Sequence, residues 1–240
     1  MVQHGDDVWS VTAVIVAGGA GRRMGGDVPK QYLPIGGVPI LAWTAAAFER
    51  SPVVDEIVLV VPESDLAFVA DGIVDAFHLR KVRRIVAGGT TRQESVVEGL
   101  AAIRGEEGVV LVHDGVRPFV SERIIADAAQ CAAQRGAALV AIPITDTVKR
   151  VNDRREVVET IPREELWAAQ TPQAFRVSLL RSAVDRAKRD GLCATDETML
   201  VERLGIPVPI VPGEPDNIKI TTPADLARAE EICKRREPPC

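Results

Sequence analysis

The sequence predicts an α/β fold on a mostly parallel sheet with an inserted β-hairpin, and three observations predict it. Apolar β-branched runs alternate with helical patterns through roughly the first 140 residues. Two of those runs, Glu56-Ile57-Val58-Leu59-Val60-Val61 and Val109-Val110-Leu111-Val112, are nearly unbroken, as suits strands buried on both faces of a parallel sheet. Glycine-rich or charged segments follow three of the strands directly, at the carboxyl ends where such sheets bind ligands.

Taken in order, residues 11–16 predict the first strand. Residues 39–50 follow as a helix, with Pro39 at a start position where its missing donor costs little. The strand at 56–61 precedes a helix over 64–77 with Ser64 as N-cap. Residues 82–86 are a strand and 91–103 a helix. Residues 109–112 are a buried strand ending at His113-Asp114. A helix over 121–135 is ended by Gly136, and 137–142 is a further strand. After Pro143 the pattern changes. Residues 146–151 and 156–161 form two short strands around Asn152-Asp153-Arg154-Arg155, a hairpin signal. No helix follows to cover this hairpin. An isolated hairpin is marginally stable in water, so it either projects as an arm onto a partner or folds back on its own domain. Helices over 177–190 and 196–204 and a strand at 208–211 complete the sheet. A last helix opens at Thr222-Pro223-Ala224-Asp225, with a threonine cap, proline at N1 and an acid at N3. The tail from Arg235 to Cys240 is expected to fray. The whole chain is expected to be a single domain with the arm at about residues 144–165.

The first strand runs into Ala17-Gly18-Gly19-Ala20-Gly21-Arg22-Arg23-Met24-Gly25-Gly26-Asp27-Val28-Pro29-Lys30-Gln31. Glycines let a backbone approach a phosphate and present its N–H groups, while Arg23 and Lys30 add fixed positive charge. Met24 stands where the dinucleotide fingerprint needs its third glycine, and Asp27 where a P-loop needs its lysine. The string therefore reads as a different triphosphate loop. Three further segments carry chemistry. Gly88-Gly89-Thr90-Thr91-Arg92-Gln93-Glu94-Ser95 leads into a helix whose free N–H groups could bind a carbonyl or phosphate. In His113-Asp114-Gly115-Val116-Arg117-Pro118, Asp114 is placed to ligate Mg²⁺ or a hydroxyl, or to pair with Arg117. In Asn217-Ile218-Lys219-Ile220, a strand-like stretch, Lys219 either snorkels or is aimed at an anion. Arg163 and Thr171-Pro172-Gln173 read singly as surface charge and turn, and Thr195-Asp196-Glu197 as a helix cap.

Composition narrows the class. The chain has 240 residues, 46% of them hydrophobic but only 4% aromatic, so aliphatic side chains must fill its core. A net charge of -5 argues against a nucleic-acid-binding surface. Cys131, Cys193, Cys233 and Cys240 show no metal-binding spacing, and no signal peptide or membrane span is visible. Reduced thiols in a cytoplasmic protein are expected.

Seven ordered motifs, from the glycine loop through Arg92-Gln93-Glu94-Ser95, His113 to Pro118, Asp146-Thr147-Val148-Lys149-Arg150, Thr171-Pro172-Gln173 and Thr195-Asp196-Glu197 to Asn217-Ile218-Lys219, resemble those of the 2-C-methyl-D-erythritol 4-phosphate cytidylyltransferases. The resemblance implies a Rossmann-like nucleotidyltransferase fold, a Mg²⁺ requirement, and a homodimer interlocked through the hairpin arm. It implies transfer of a cytidylyl group from CTP to 2-C-methyl-D-erythritol 4-phosphate, giving CDP-methylerythritol and pyrophosphate, in isoprenoid precursor synthesis. Arg23 and Lys30 match transition-state stabilisers, and Arg163 and Lys219 match residues that position the methylerythritol phosphate. Thr147, Thr171 and Thr195 match further substrate contacts, and Asp114 and Arg117 match residues near substrate and metal. Ala17, Gly18, Gly19, Gly21 and Gly115 belong with the CTP contacts, and Gly88, Gly89 and Ser95 match the cytosine-reading region. Two departures, Val16-Ala17-Gly18-Gly19 and Gly115-Val116, also resemble ribitol-5-phosphate cytidylyltransferases. That activity is the nearest alternative, and a non-catalytic nucleotide-binding protein on the same fold is the more distant one.

Overall fold

The computed structural model describes residues 1–4, 7–18 and 28–239. A small antiparallel hairpin, β1 (Val2–His4) and β2 (Asp7–Trp9), leads into β3 (Val11–Val16). After it come the two-residue strands β4 (Pro34–Ile35) and β5 (Val38–Pro39), helix α1 (Ile40–Arg50), β6 (Glu56–Val61), α2 (Leu66–Val69), β7 (Val82–Ala87), α3 (Arg92–Ala101), β8 (Val109–Asp114), α4 (Glu122–Arg135) and β9 (Ala137–Pro143). The second half adds β10 (Val148–Val151), β11 (Val157–Ile161), β12 (Trp167–Arg176), α5 (Val177–Asp190), α6 (Glu197–Glu202), β13 (Ile210–Pro212) and α7 (Pro223–Cys233).

Seven strands form one sheet in the order β13-β9-β12-β8-β3-β6-β7. All its pairings are parallel except those of β12, which runs antiparallel to both β8 and β9. Alternation along each strand splits the core into two layers. Val11, Ala13 and Ile15 of β3 pack with α1 and α4 on one face, while Val14 packs with α3 and α5 on the other. A third, smaller cluster joins α7 to Trp43, Val116, Phe119 and Ile220, and so anchors the chain on either side of the β8 exit.

Most predicted elements stand where the pattern puts them, and helices α3, α4 and α7 are capped by Thr91, Ser121 and Thr222. Gly136 ends α4 at φ 93. Four expectations need correction. The helix expected over 64–77 is a 3₁₀ turn (Glu63–Asp65), the short α2 and a π-helical stretch (Ala70–Asp75). Asp65, Asp71, Gly72 and Asp75 are poor helix-interior residues, and the Ser64 hydroxyl donates to Asp65 Oδ1 at 2.8 Å instead of capping. The segment Thr171-Pro172-Gln173, expected as a turn, lies within strand β12. Pro172 sits there at a register break between Ala169 and Gln173, the kind of irregularity that admits proline inside a sheet. Residues 217–220 form no strand. The tail does not fray through Pro239, because Arg236 stacks 5.5 Å over the Phe119 ring and Pro239 is buried.

Among the described residues, the hairpin β10–β11 pairs only with itself. Asn152 Oδ1 accepts from the N–H groups of Arg154 and Glu156 at 3.0 Å, and Arg155 takes φ 62. The hairpin stands off the sheet as an arm, with Val151, Val157 and Val158 more than half exposed.

Candidate active site

The carboxyl ends of β3, β7 and β8 open into one cleft of about 370 Å³, within the range of small-molecule sites. Ala17, Gly18, Lys30, Gly89, Ser95, Asp114 and Lys219 line it, together with Thr90, Thr91, Arg92 and Val116. Parallel pairing of β3 with β8 sets Val16 opposite Asp114. The Gly115 N–H donates to Val16 O at 2.8 Å and the Ala17 N–H to Val60 O at 2.7 Å, so the exits of β3, β6 and β8 are tied together. Glycine is required here by space. A Cβ on Gly88 would lie 2.7 Å from Ser95 Oγ, and one on Gly115 2.8 Å from the Ala17 Cβ.

The helix start is less free than its sequence suggests. Glu94 Oε2 accepts from the N–H groups of Thr90 and Thr91 and from the Thr90 hydroxyl, while Thr91 Oγ1 accepts from the Glu94 N–H. This capping box engages the N–H groups of Thr90, Thr91 and Glu94, three of the amides around the helix start. Ser95 is buried, and its hydroxyl donates to Thr91 O at 2.9 Å.

Asp114 is the centre of charge. Its carboxylate lies 3.1 Å from Arg92 Nε, 2.9 Å from Lys219 Nζ and 3.5 Å from Arg117 Nε. Burial pushes its pKa up, but Arg92, Lys219 and Arg117 together outweigh that and hold it well below the usual carboxylate range. Arg92 is gripped in turn by Glu197, with Nη1 at 2.7 and 2.9 Å from the two carboxylate oxygens. Two carboxylates thus face three cations, a net positive charge suited to phosphate. Both readings of Asp114 hold part of the structure: it pairs with Arg117, and it also faces the cleft. Lys219 neither snorkels nor points to open solvent; its ammonium sits on Asp114, positioned by the Ile220 N–H donating to Val116 O at 2.9 Å.

Beneath this cluster His113 is wholly buried, and burial pushes its pKa down to about 4. Arg117 O, 3.0 Å from Nε2, can only accept, so Nε2 carries the proton. Nδ1 then accepts from the Thr171 hydroxyl at 3.0 Å, and Thr171 Oγ1 accepts from the Asp114 N–H at 3.1 Å. Thr171 thus braces β8 from β12, and Asn217 Nδ2 donates to Thr171 O at 2.8 Å while Asn217 O accepts from Arg117 Nη1 at 2.7 Å.

Not every predicted residue comes to the cleft. Gly19, Gly21 and Arg23 lie outside the described residues. Thr147 and Arg163 are exposed at the base of the arm, where Arg163 donates to Thr145 O. Thr195 is exposed on the loop before α6. Sequence reasoning assigned no chemistry to Glu197 and treated Arg92 only as part of a motif. The signal lay in Arg92 and Glu197 each standing at a helix start, but their 105-residue separation hid the pairing.

Comparison with known proteins decides the family. A family model described as "IspD: 2-C-methyl-D-erythritol 4-phosphate cytidylyltransferase" matches residues 11–235. The chain belongs to the 2-C-methyl-D-erythritol 4-phosphate cytidylyltransferase family. A family member from Geobacter metallireducens is 49% identical over 232 residues, covering 95% of this chain and 100% of its own length. One from Syntrophus aciditrophicus is 48% identical over 227 residues, covering 95% and 97%. Among solved structures, the family enzyme of Thermus thermophilus superposes with a TM-score of 0.79 at 36% identity, covering 94% of this chain and 99% of that one. The 4-diphosphocytidyl-2C-methyl-D-erythritol synthase of Anaerococcus prevotii gives 0.83 at 33% identity, covering 95% and 97%. The α/β nucleotidyltransferase-like fold, its mostly parallel sheet and the enzyme class therefore stand as the cytidylyltransferase resemblance implied.

Proposed function

We propose that this enzyme transfers the cytidylyl group of CTP to 2-C-methyl-D-erythritol 4-phosphate, releasing pyrophosphate and CDP-methylerythritol. The observation that carries this is a net-positive cleft at the strand ends, with Lys30 and Lys219 on its wall, in a chain matched over residues 11–235 by that family. A 4-phosphate oxygen attacks the α-phosphorus, the bond to the β-phosphate oxygen breaks, and pyrophosphate leaves. The nucleophile is already an anion, so the work is positioning and charge stabilisation rather than proton abstraction. Lys30 supplies charge beside the triphosphate, Arg23 joins it by its place in the loop, and Lys219 supplies charge to the phosphate of the polyol. Gly18, Gly88 and Gly89 allow close backbone approach to the nucleotide.

Asp114 is the only carboxylate among the described residues lining the cleft, and no cluster of three or more potential ligands occurs among those residues. An ionised single carboxylate fits Mg²⁺ completed by triphosphate oxygens and water, the way this cation is usually held beside nucleotides. When bound there, Mg²⁺ would neutralise charge on the phosphates. Arg163, Thr147, Thr195, Arg117 and Thr171 are the residues for the sugar phosphate.

The enzyme works as a homodimer through the arm. The exposed Val151, Val157 and Val158 on a hairpin that pairs with no other strand support this. Cys131, Cys193 and Cys233 are unpaired, and no described helix is long and apolar enough to cross a membrane, which supports placement in the cytoplasm. Ribitol 5-phosphate is not favoured, since relatives 48% and 49% identical bear the methylerythritol name. Pyrophosphate release from CTP with each polyol phosphate in turn is the test. Turnover confined to methylerythritol phosphate is expected, and a preference for ribitol phosphate would overturn the assignment.

A further inference from the structure

The contacts of Asp114 are unequal. Lys219 is held there by a single contact, its side chain 37% exposed. Arg92 is held at both ends: Nε on Asp114, Nη1 on both oxygens of Glu197, whose side chain is 2% exposed. Glu197 is itself fixed, as the first residue of α6. The Asp196 carboxylate caps that helix, accepting from the Met199 N–H at 3.0 Å and from Gln173 Nε2 of β12 at 3.0 Å. The preceding loop is tied to α3, where Gln93 Nε2 donates to Leu192 O and Gln93 Oε1 accepts from the Ala194 N–H. A planar guanidinium forked between two carboxylates is far harder to redirect than an ammonium on a flexible stem.

We propose that Glu197 is a positioning residue for cytidylyl transfer: it pins Arg92 as the permanent counter-charge of Asp114 and, with Arg117 Nη1 held by Asn217 O, leaves Lys219 as the most exposed cation of that set, free to exchange onto substrate phosphate. Without Glu197, Arg92, which lines the same cleft as Lys219, becomes a second cation able to swing onto substrate phosphate, and it competes with Lys219 for the same oxygens. Binding survives because positive charge remains. Chemistry suffers because the charge is in the wrong place.

This rests on the cytidylyl transfer proposed above, and wild-type turnover in the same assay tests that reading separately. The experiment titrates CTP by calorimetry and measures kcat per titrated binding site for the wild type, Glu197→Gln, Arg92→Lys and the double variant, with circular dichroism on each. For Glu197→Gln the expected result is a fall of about tenfold or more in kcat per site with CTP affinity within about twofold or tighter. The double variant should be no worse than the worse single one, because both act through the same contact. A merely structural role would reduce the number of binding sites and leave kcat per site unchanged; that result overturns the proposal, as do effects that multiply. Should Glu197→Gln not fold, Glu197→Asp carries the same readout. It keeps the charge on a shorter stem, and a kcat per site equal to wild type with Arg92→Lys also unaffected would overturn the proposal.

Discussion

His113 and Asp114 are adjacent and both buried, yet they end in opposite charge states. Asp114 stays charged because three cations surround it, whereas His113 stays neutral because burial disfavours its charged form, and its single ring proton is directed to Arg117 O. The histidine pKa is about 4 when folded and 6.5 in the ordinary state, so the unfolded chain takes up the proton first as pH falls. Its contribution to stability is full above 6.5 and is lost on the way down to about 4, a total of roughly 3 kcal/mol. The Asp114 contribution has the opposite origin, a lowered carboxylate pKa, and is lost only below the ordinary carboxylate range. Urea unfolding of the wild type and His113→Asn between pH 7 and 4 should therefore show a steeper decline in the wild type; parallel curves would refute the assignment. Lys30 belongs to the chemical step, and Lys30→Ala should lower turnover by about 10²–10³ in a pyrophosphate-release assay. Asp114 and Arg117 were legible as candidates, since they stand at or just beyond the end of a buried strand. The whole cluster was not: Lys219, Arg92 and Arg117 meet on Asp114 from three separate segments.

At the scale of elements, α3 joins the nucleotide loop to the core. Its capping box holds the loop, and its Gly99 lets the helix lie against the sheet. A Cβ at that position would sit 2.4 Å from Val14 Cγ1 and 2.9 Å from Val60 Cγ2. Gly99→Ala therefore costs about 1–3 kcal/mol in chemical denaturation despite alanine's better helix propensity, because two packed strands would have to shift. Strand β12 is the element that local pattern conceals. Its middle, Gln170 to Gln173, is polar and interrupted by Pro172, yet it is buried between β8 and β9 and supplies Thr171 to the site. A strand whose side chains are satisfied by distant partners carries no alternation that a short window can detect. The breaking of α2 into 3₁₀ and π turns is the converse case, an apolar run whose acidic residues and glycine deny it a regular helix.

For the whole molecule, the sheet gathers the nucleotide side of the site into one cleft, while Thr147 and Arg163 stay out on the arm. Arg163→Ala should raise KM for the polyol phosphate about tenfold or more and leave CTP binding by calorimetry little changed; unaltered kinetics would remove Arg163 from the site. Val158→Asp, placed on an exposed arm strand that pairs only within the hairpin, should shift sedimentation toward monomer without lowering the unfolding midpoint appreciably. Wild-type protein sedimenting as a monomer would refute the arm's role. Residue order alone was enough for the alternation of strands and helices, the hairpin, the caps of the last two helices and the placing of three motifs at carboxyl ends, because all of these follow from local periodicity and turn chemistry. Tertiary structure decided the antiparallel β12 and the cluster in which Glu197 holds Arg92 and three cations hold Asp114. The links from Arg92 to those two carboxylates span 22 and 105 residues, and only packing brings such groups within hydrogen-bonding distance.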